Sequence, residues 1–228
     1  MNFLAAWFNP ASALAAHFIL AALLAACAKP AFAAVSARPA ATGVAAVFLS
    51  VLWSLNAGVG GGQLAGMNFP LLGISLAALM LGAPAALWLG TLLLVPYTWL
   101  HGAENLHAVS LNVLFLILPS AALNLSCRRI AAKLPANLFV YIFFNGFIAA
   151  ALGMILTGAL LAVLLQTVQA YSGEVLWTSV FPVFFLLAWG EAFLTGIFTA
   201  IFVALRPQFL ATFDDNRYLR SENEIWKS

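Results

Sequence analysis

Charge is what this sequence has least of. Its 228 residues include 9 Lys or Arg and 7 Asp or Glu, so 7% are charged, where a soluble domain carries about a quarter. Hydrophobic residues make up 64% of the chain and the mean hydropathy is +1.04, which excludes an ordinary soluble fold. The net charge of +2 gives no basic face able to track phosphates, so nucleic acid is not expected as a partner. Cysteine is almost absent: Cys27 and Cys127 form neither a disulfide framework nor a metal-thiolate spacing. No Walker A sequence or other nucleotide motif occurs. No Gly-x-Ser-x-Gly elbow supports a hydrolase built on Ser75 and His101. No Lys or Arg precedes the first apolar run. The cleavage-like boxes Leu24-Ala25-Ala26-Cys27 and Ala31-Phe32-Ala33 are therefore not expected to be processing sites.

What is present is helix-length hydrocarbon. At roughly 20 residues per crossing, the pattern predicts an all-α, polytopic membrane bundle of about seven transmembrane helices. They fall near residues 11–28, 40–55, 67–81, 85–100, 111–125, 137–169 and 180–205. The chain reads as one membrane domain, 1–228, with a bundle over 1–205 and a cytoplasmic tail over 206–228. Lys29, Pro30, Arg38 and Pro39 punctuate the first connection, and Gly82-Ala83-Pro84 marks a tight turn. Asn137 is placed to cap the sixth helix, whose excess length predicts tilt or an interruption near Gly146, Gly153 or Gly158. Seven crossings put every Lys and Arg on one side, with the N-terminus outside and the C-terminus in the cytoplasm. Outside, the only charges are then Glu104 and Glu174.

The densest glycine and amide cluster is Asn56 to Gly73, containing Gly60-Gly61-Gly62-Gln63 and Met67-Asn68-Phe69-Pro70. Irregular backbone at membrane depth is tolerated where it is buried in protein or lines a cavity, so this stretch is the candidate substrate segment. Glu191 is the one acidic residue inside a span, and such a residue marks a functional or structural anchor facing the bundle interior. Gln63, Asn68, Asn112 and Glu191 are the candidate substrate-binding residues; Asn145 is a further amide within a span. Amides of this kind also bond neighbouring helices, as does a mid-span histidine such as His17. His101, Glu104 and His107 share one outer loop. Imidazole and carboxylate suit cobalt, nickel or zinc, which makes these three the candidate metal ligands.

Several motifs occur in a telling order. The glycine-rich outer segment is followed by Gly73 and Gly82 around a short helical pair, then His101-Gly102, Asn112 in Ser110-Leu-Asn-Val113, the basic loop Cys127 to Pro135, and Glu191. This order resembles the CbiM-like family, membrane substrate-capture subunits of energy-coupling-factor ABC transporters for cobalt or nickel. Asn137 to Asn145, Gly190-Glu-Ala-Phe-Leu194 and Arg206-Pro207 leading into Ala211 to Leu219 are similar to a proteobacterial branch of it. The resemblance implies a multi-pass protein of the bacterial inner membrane. It also implies a transition-metal ion as substrate rather than as a resident cofactor, and as partners ABC-type ATPase subunits and a coupling transmembrane subunit. Typical members begin Met-His and hold their metal with the N-terminal amine, that histidine and a histidine in the glycine-rich segment. This chain has Asn2 and, around Met67 to Pro70, no histidine, so the family's metal site does not carry over. His101 is the residue matching a family histidine, with Glu104 and His107 beside it. The competing expectation is a membrane scaffold or assembly protein that kept the fold and lost the metal.

Overall fold

The computed structural model describes residues 3–55 and 57–218. Asn2, Asn56 and the tail from Leu219 onward, with Arg220 and Lys227, lie outside the described residues.

Helix α1, Pro10–Ala37, begins where Asn9 Oδ1 accepts the Ser12 N–H at 2.8 Å, with Pro10 at its first position, where a missing N–H costs nothing. It continues through Lys29 and Pro30 to Ala37, and α2, Pro39–Ser54, follows after Arg38 alone. The connection expected from Lys29 to Pro39 is therefore helical almost throughout. Pro30 removes one rung of the ladder, whereas ending the helix would leave several backbone groups unpaired in apolar surroundings. At 1.5 Å per residue α1 is about 42 Å long, and its Leu14, Phe18, Ile19 and Phe32 are more than half exposed. An apolar flank of that kind faces lipid.

The third apolar segment departs most from expectation. In place of a helix over 67–81, the chain forms a two-residue antiparallel ladder, β1 (Ala57–Gly58) with β2 (Asn68–Phe69), pairing Ala57 with Phe69 and Gly58 with Asn68. Helix α3, Ile74–Leu81, then follows with all eight residues buried. Pro70 and the left-handed Gly73, at φ 66°, keep the helix from starting earlier. Eight residues span only about 12 Å, so α3 is a core helix.

Helix α4, Ala83–Gly102, leads through a 3₁₀ stretch, Ala103–Ala108, and wide π turns, Val113–Ile117, into α5, Leu118–Ala131. The Asn137 side chain caps the next helix by accepting the Val140 N–H at 2.7 Å. That helix opens with π turns over Val140–Ile148 and continues as α6, Ala149–Thr167, so the interruption expected near Gly146 is a widening of the helix. A further π segment, Leu176–Val180, precedes α7, Phe181–Leu205. Glycines bring α6 and α7 together: a Cβ on Gly158 would stand 2.4 Å from Phe184 Cβ, and one on Gly146 3.4 Å from Gly196 Cα. Small residues that let backbones approach are how helices associate in lipid.

Among the described residues, four stretches are long and apolar enough to cross a membrane, Pro10–Ala37, Ala83–Ala131, Val140–Thr167 and Gly173–Leu205, and Pro39–Ser54 is a shorter apolar helix. The longest of these contains the break at Gly102 to Ala108. The architecture is the expected all-α membrane bundle, packed around α3.

Candidate functional site

The glycine segment folds into a loop held from three directions. Internally, the Val59 N–H bonds the Met67 carbonyl and the Gly66 N–H bonds the Val59 carbonyl, both at 2.9 Å. From below, Glu191 on α7 accepts the N–H groups of Leu72 and of Gly73, the latter at 2.9 Å. Trp53 Nε1 donates to the Leu72 carbonyl at 3.0 Å. The carboxylate thus sits at the start of α3, where unpaired N–H groups welcome an acceptor. From the side, the Tyr171 hydroxyl donates to the Ala65 carbonyl at 2.7 Å. Burial pushes the Tyr171 phenol above its ordinary value, which keeps it a donor.

Residues 3–8 close over this loop. Asn112 Oδ1 accepts the Phe3 N–H at 3.1 Å while its Nδ2 donates to the Ala108 carbonyl at 3.0 Å. Asn105 Oδ1 accepts the Ala5 N–H at 2.8 Å. Trp7 meets Tyr171 edge-on with ring centroids 5.4 Å apart, and Leu4 lies so near Gly66 that a Cβ there would be 3.3 Å from Leu4 Cδ1. Only a glycine, here at φ 84°, allows that approach.

Beneath the closure lies a cavity of about 10 Å³ lined by Phe3, Trp7, Met67, Asn68, Pro70 and Phe184, with Leu116 and Leu161. That is close to the least volume that admits one water. Its side-chain donors are the Met67 thioether and the Asn68 amide.

The sequence candidates fall in different places. Asn68 lines the cavity, and Asn112 holds its lid. Glu191, wholly within the bundle, holds its floor from behind. Gln63 is exposed near the tip of the loop. His101 stacks on Tyr97 with centroids 4.3 Å apart and directs Nδ1 to the Tyr97 carbonyl at 2.9 Å. Glu104 accepts from Asn105 Nδ2 at 3.1 Å, and His107 lines a separate flank cavity with His17. Among the described residues, no three His, Cys, Asp or Glu side chains come together as a metal group. Met67, Asn105, Trp7 and Tyr171 were not singled out from the sequence. Asn105 had a usable signal, since it stands seven residues, two helical turns, before Asn112.

This small pocket lies under a glycine loop within a helical bundle. Residues 3–209 match the model of the CbiM family, described as the cobalt uptake substrate-specific transmembrane region, and the chain belongs to that family. It is thereby a membrane transport component of metal uptake. A solved crystal structure of a truncated transition metal transporter is similar in fold, with a TM-score of 0.75 at 17% identity, over 90% of this chain and 99% of that one. No curated protein matches.

Proposed function

We propose that this chain is the substrate-capturing subunit of an energy-coupling-factor-type ABC transporter, taking a transition-metal ion of the cobalt or nickel kind from the outer face of the bacterial inner membrane for import. Separate ABC-type ATPase subunits and a coupling transmembrane subunit supply the energy. The N-terminus lies outside and the C-terminus inside, with about seven crossings in which the loop and α3 together stand for the third. The observation that carries the reading is the small outer pocket, over which Asn112 and Asn105 tie residues 3–5 above the glycine loop. A capture subunit has to enclose one small solute, and a pocket covered in this way suits that task.

The donors around that pocket, a thioether and an amide oxygen, are a different set from imidazoles. A second reading, a scaffold that retained the fold without the ion, is favoured by the pocket's apolar lining and its size of about 10 Å³. Metal content and affinity of the purified protein in detergent, across cobalt, nickel, zinc and copper, separate the two. Saturable binding that is lost in Met67→Leu with Asn68→Leu and kept in His101→Ala with His107→Ala supports capture in the pocket. The reverse pattern keeps transport and moves the site to the outer loop. Absence of binding by any of the four ions supports the scaffold. Co-purification of ATPase subunits, and lowered metal accumulation in a deletion strain, check the transport assignment independently.

A further inference from the structure

At the opposite end of the bundle, where the first basic residues after α4 collect, is a second polar cavity of about 320 Å³. We propose that it binds a phosphate group, either the phosphodiester of an anionic phospholipid headgroup or free phosphate. Its lining includes Arg128, Arg129, Asn145, Asp214, Arg217 and Tyr218.

The chemistry of the lining is incomplete without an anion. Arg128, on α5, is half-buried and Arg129 is exposed; the Arg128 carbonyl accepts the Ala132 N–H at 3.0 Å, whereas among the described residues neither guanidinium makes a hydrogen bond or ion pair. A guanidinium partly withdrawn from water with no acceptor is costly. Arg217 is fixed in place: its Nη2 donates to the Ala132 carbonyl at 2.8 Å, its Cζ stands 5.4 Å from the centre of the Tyr218 ring, and its Nε is buried without a partner. Among the described residues, three guanidinium groups and one carboxylate, Asp214, which has a partner of its own, line the cavity.

Guanidinium forks match the oxygens of phosphate in pairs, and basic pockets at the inner ends of membrane helices suit phospholipid headgroups. The volume is at the low end for a small-molecule site, sufficient for a headgroup without its chains. This site is independent of whether the outer pocket takes a metal.

The full chain is tested with two probes, inorganic phosphate by equilibrium dialysis in detergent, and nanodiscs of mixed phosphatidylglycerol and phosphatidylcholine followed by native mass spectrometry. We expect preferential retention of phosphatidylglycerol, weakened about tenfold or more in Arg128→Gln with Arg129→Gln, since both the charge and the forked donors to the headgroup are lost. Lys29→Gln with Arg206→Gln removes the same charge from exposed positions outside the cavity, so it loses only the non-specific attraction to the membrane surface and weakens retention less. Phosphate binding that shows the same dependence, with no lipid preference, identifies free phosphate as the ligand. The proposal is overturned if neither probe binds, or if the two double variants weaken binding equally. Arg128→Lys, which keeps the charge and loses the fork, should retain partial binding and guards against a folding artefact.

Discussion

Two cavities of this bundle are built on opposite principles. The outer one, about 10 Å³, is largely apolar, neutral and assembled from segments far apart in sequence; the inner one, about 320 Å³, is lined by three arginines from two short stretches. One encloses by backbone anchoring, the other attracts by charge. The contrast shows that polarity in a membrane protein marks a site only once its partners are known. Glu191, a buried acid on α7, has its hydrogen bonds committed to the loop, whereas the guanidinium groups of Arg128 and Arg129, in what reads as an ordinary inside loop, have none among the described residues.

The strongest way to break the comparison is to remove the outer anchor. Glu191→Ala leaves two buried N–H groups unpaired and a void behind the loop, and should lower stability by about 3–5 kcal/mol. Glu191→Gln keeps an acceptor in the same place and should lose about 1 kcal/mol. Thermal unfolding in detergent measures both, and phosphate or lipid retention at the inner cavity should be unchanged in the glutamine variant. Equal losses in the two variants would mean that the hydrogen bonds to Leu72 and Gly73 are not what holds the loop.

Next in size is Gly158→Ala. A Cβ there would stand 2.4 Å from Phe184 Cβ, so α6 and α7 must separate, at about 1–3 kcal/mol. Phe184 also lines the outer cavity, so outer ligand binding should fall while the inner site is unaffected. Gly43→Ala, where an added Cβ meets nothing within 4 Å, should be neutral or stabilise by about 0.5 kcal/mol. Melting temperatures of the two variants side by side decide whether the contact at Phe184, rather than glycine in general, sets the effect.

Asn112→Ala should cost about 1–2 kcal/mol by leaving the buried Phe3 N–H unpaired. Its larger effect is local: amide exchange at residues 3–8 should rise while exchange in α3 stays slow. If exchange at residues 3–8 does not change, Asn112 is not the latch of the lid.

What could be read from the sequence was local. The apolar runs marked a helical membrane bundle but not the number of its crossings, Asn137 reads as a cap and is one, and the glycine cluster reads as irregular backbone and is a loop. Propensity could not show that α1 runs through Pro30, because the cost of exposing backbone in apolar surroundings outweighs one missing rung. Hydropathy could not separate α3 from a crossing helix, since a core helix and a lipid-facing one are equally apolar. The pocket was least legible, because Asn112 meets Phe3 and Glu191 meets Leu72 across more than a hundred residues. A side chain can be singled out as polar, yet its partner is fixed only by the packing of the whole bundle.

The smallest expected effect tests the outer loop. His101, Glu104 and His107 have the chemistry of a metal site and adjacency in sequence, yet all three are exposed. His101 is turned back onto Tyr97, and Glu104 bonds Asn105. Imidazoles that hold a metal have to converge with their lone pairs on one point, and His107 lines a flank cavity with His17 to which His101 does not belong. His101→Ala with His107→Ala should therefore shift stability by less than about 0.5 kcal/mol. By isothermal titration it should change affinity for cobalt or nickel by less than about twofold, well within 1 kcal/mol. A tenfold loss in that variant, with Met67→Leu without effect, would reverse the comparison: the outer loop would be the place of capture, and the closed cavity a packing defect beneath it.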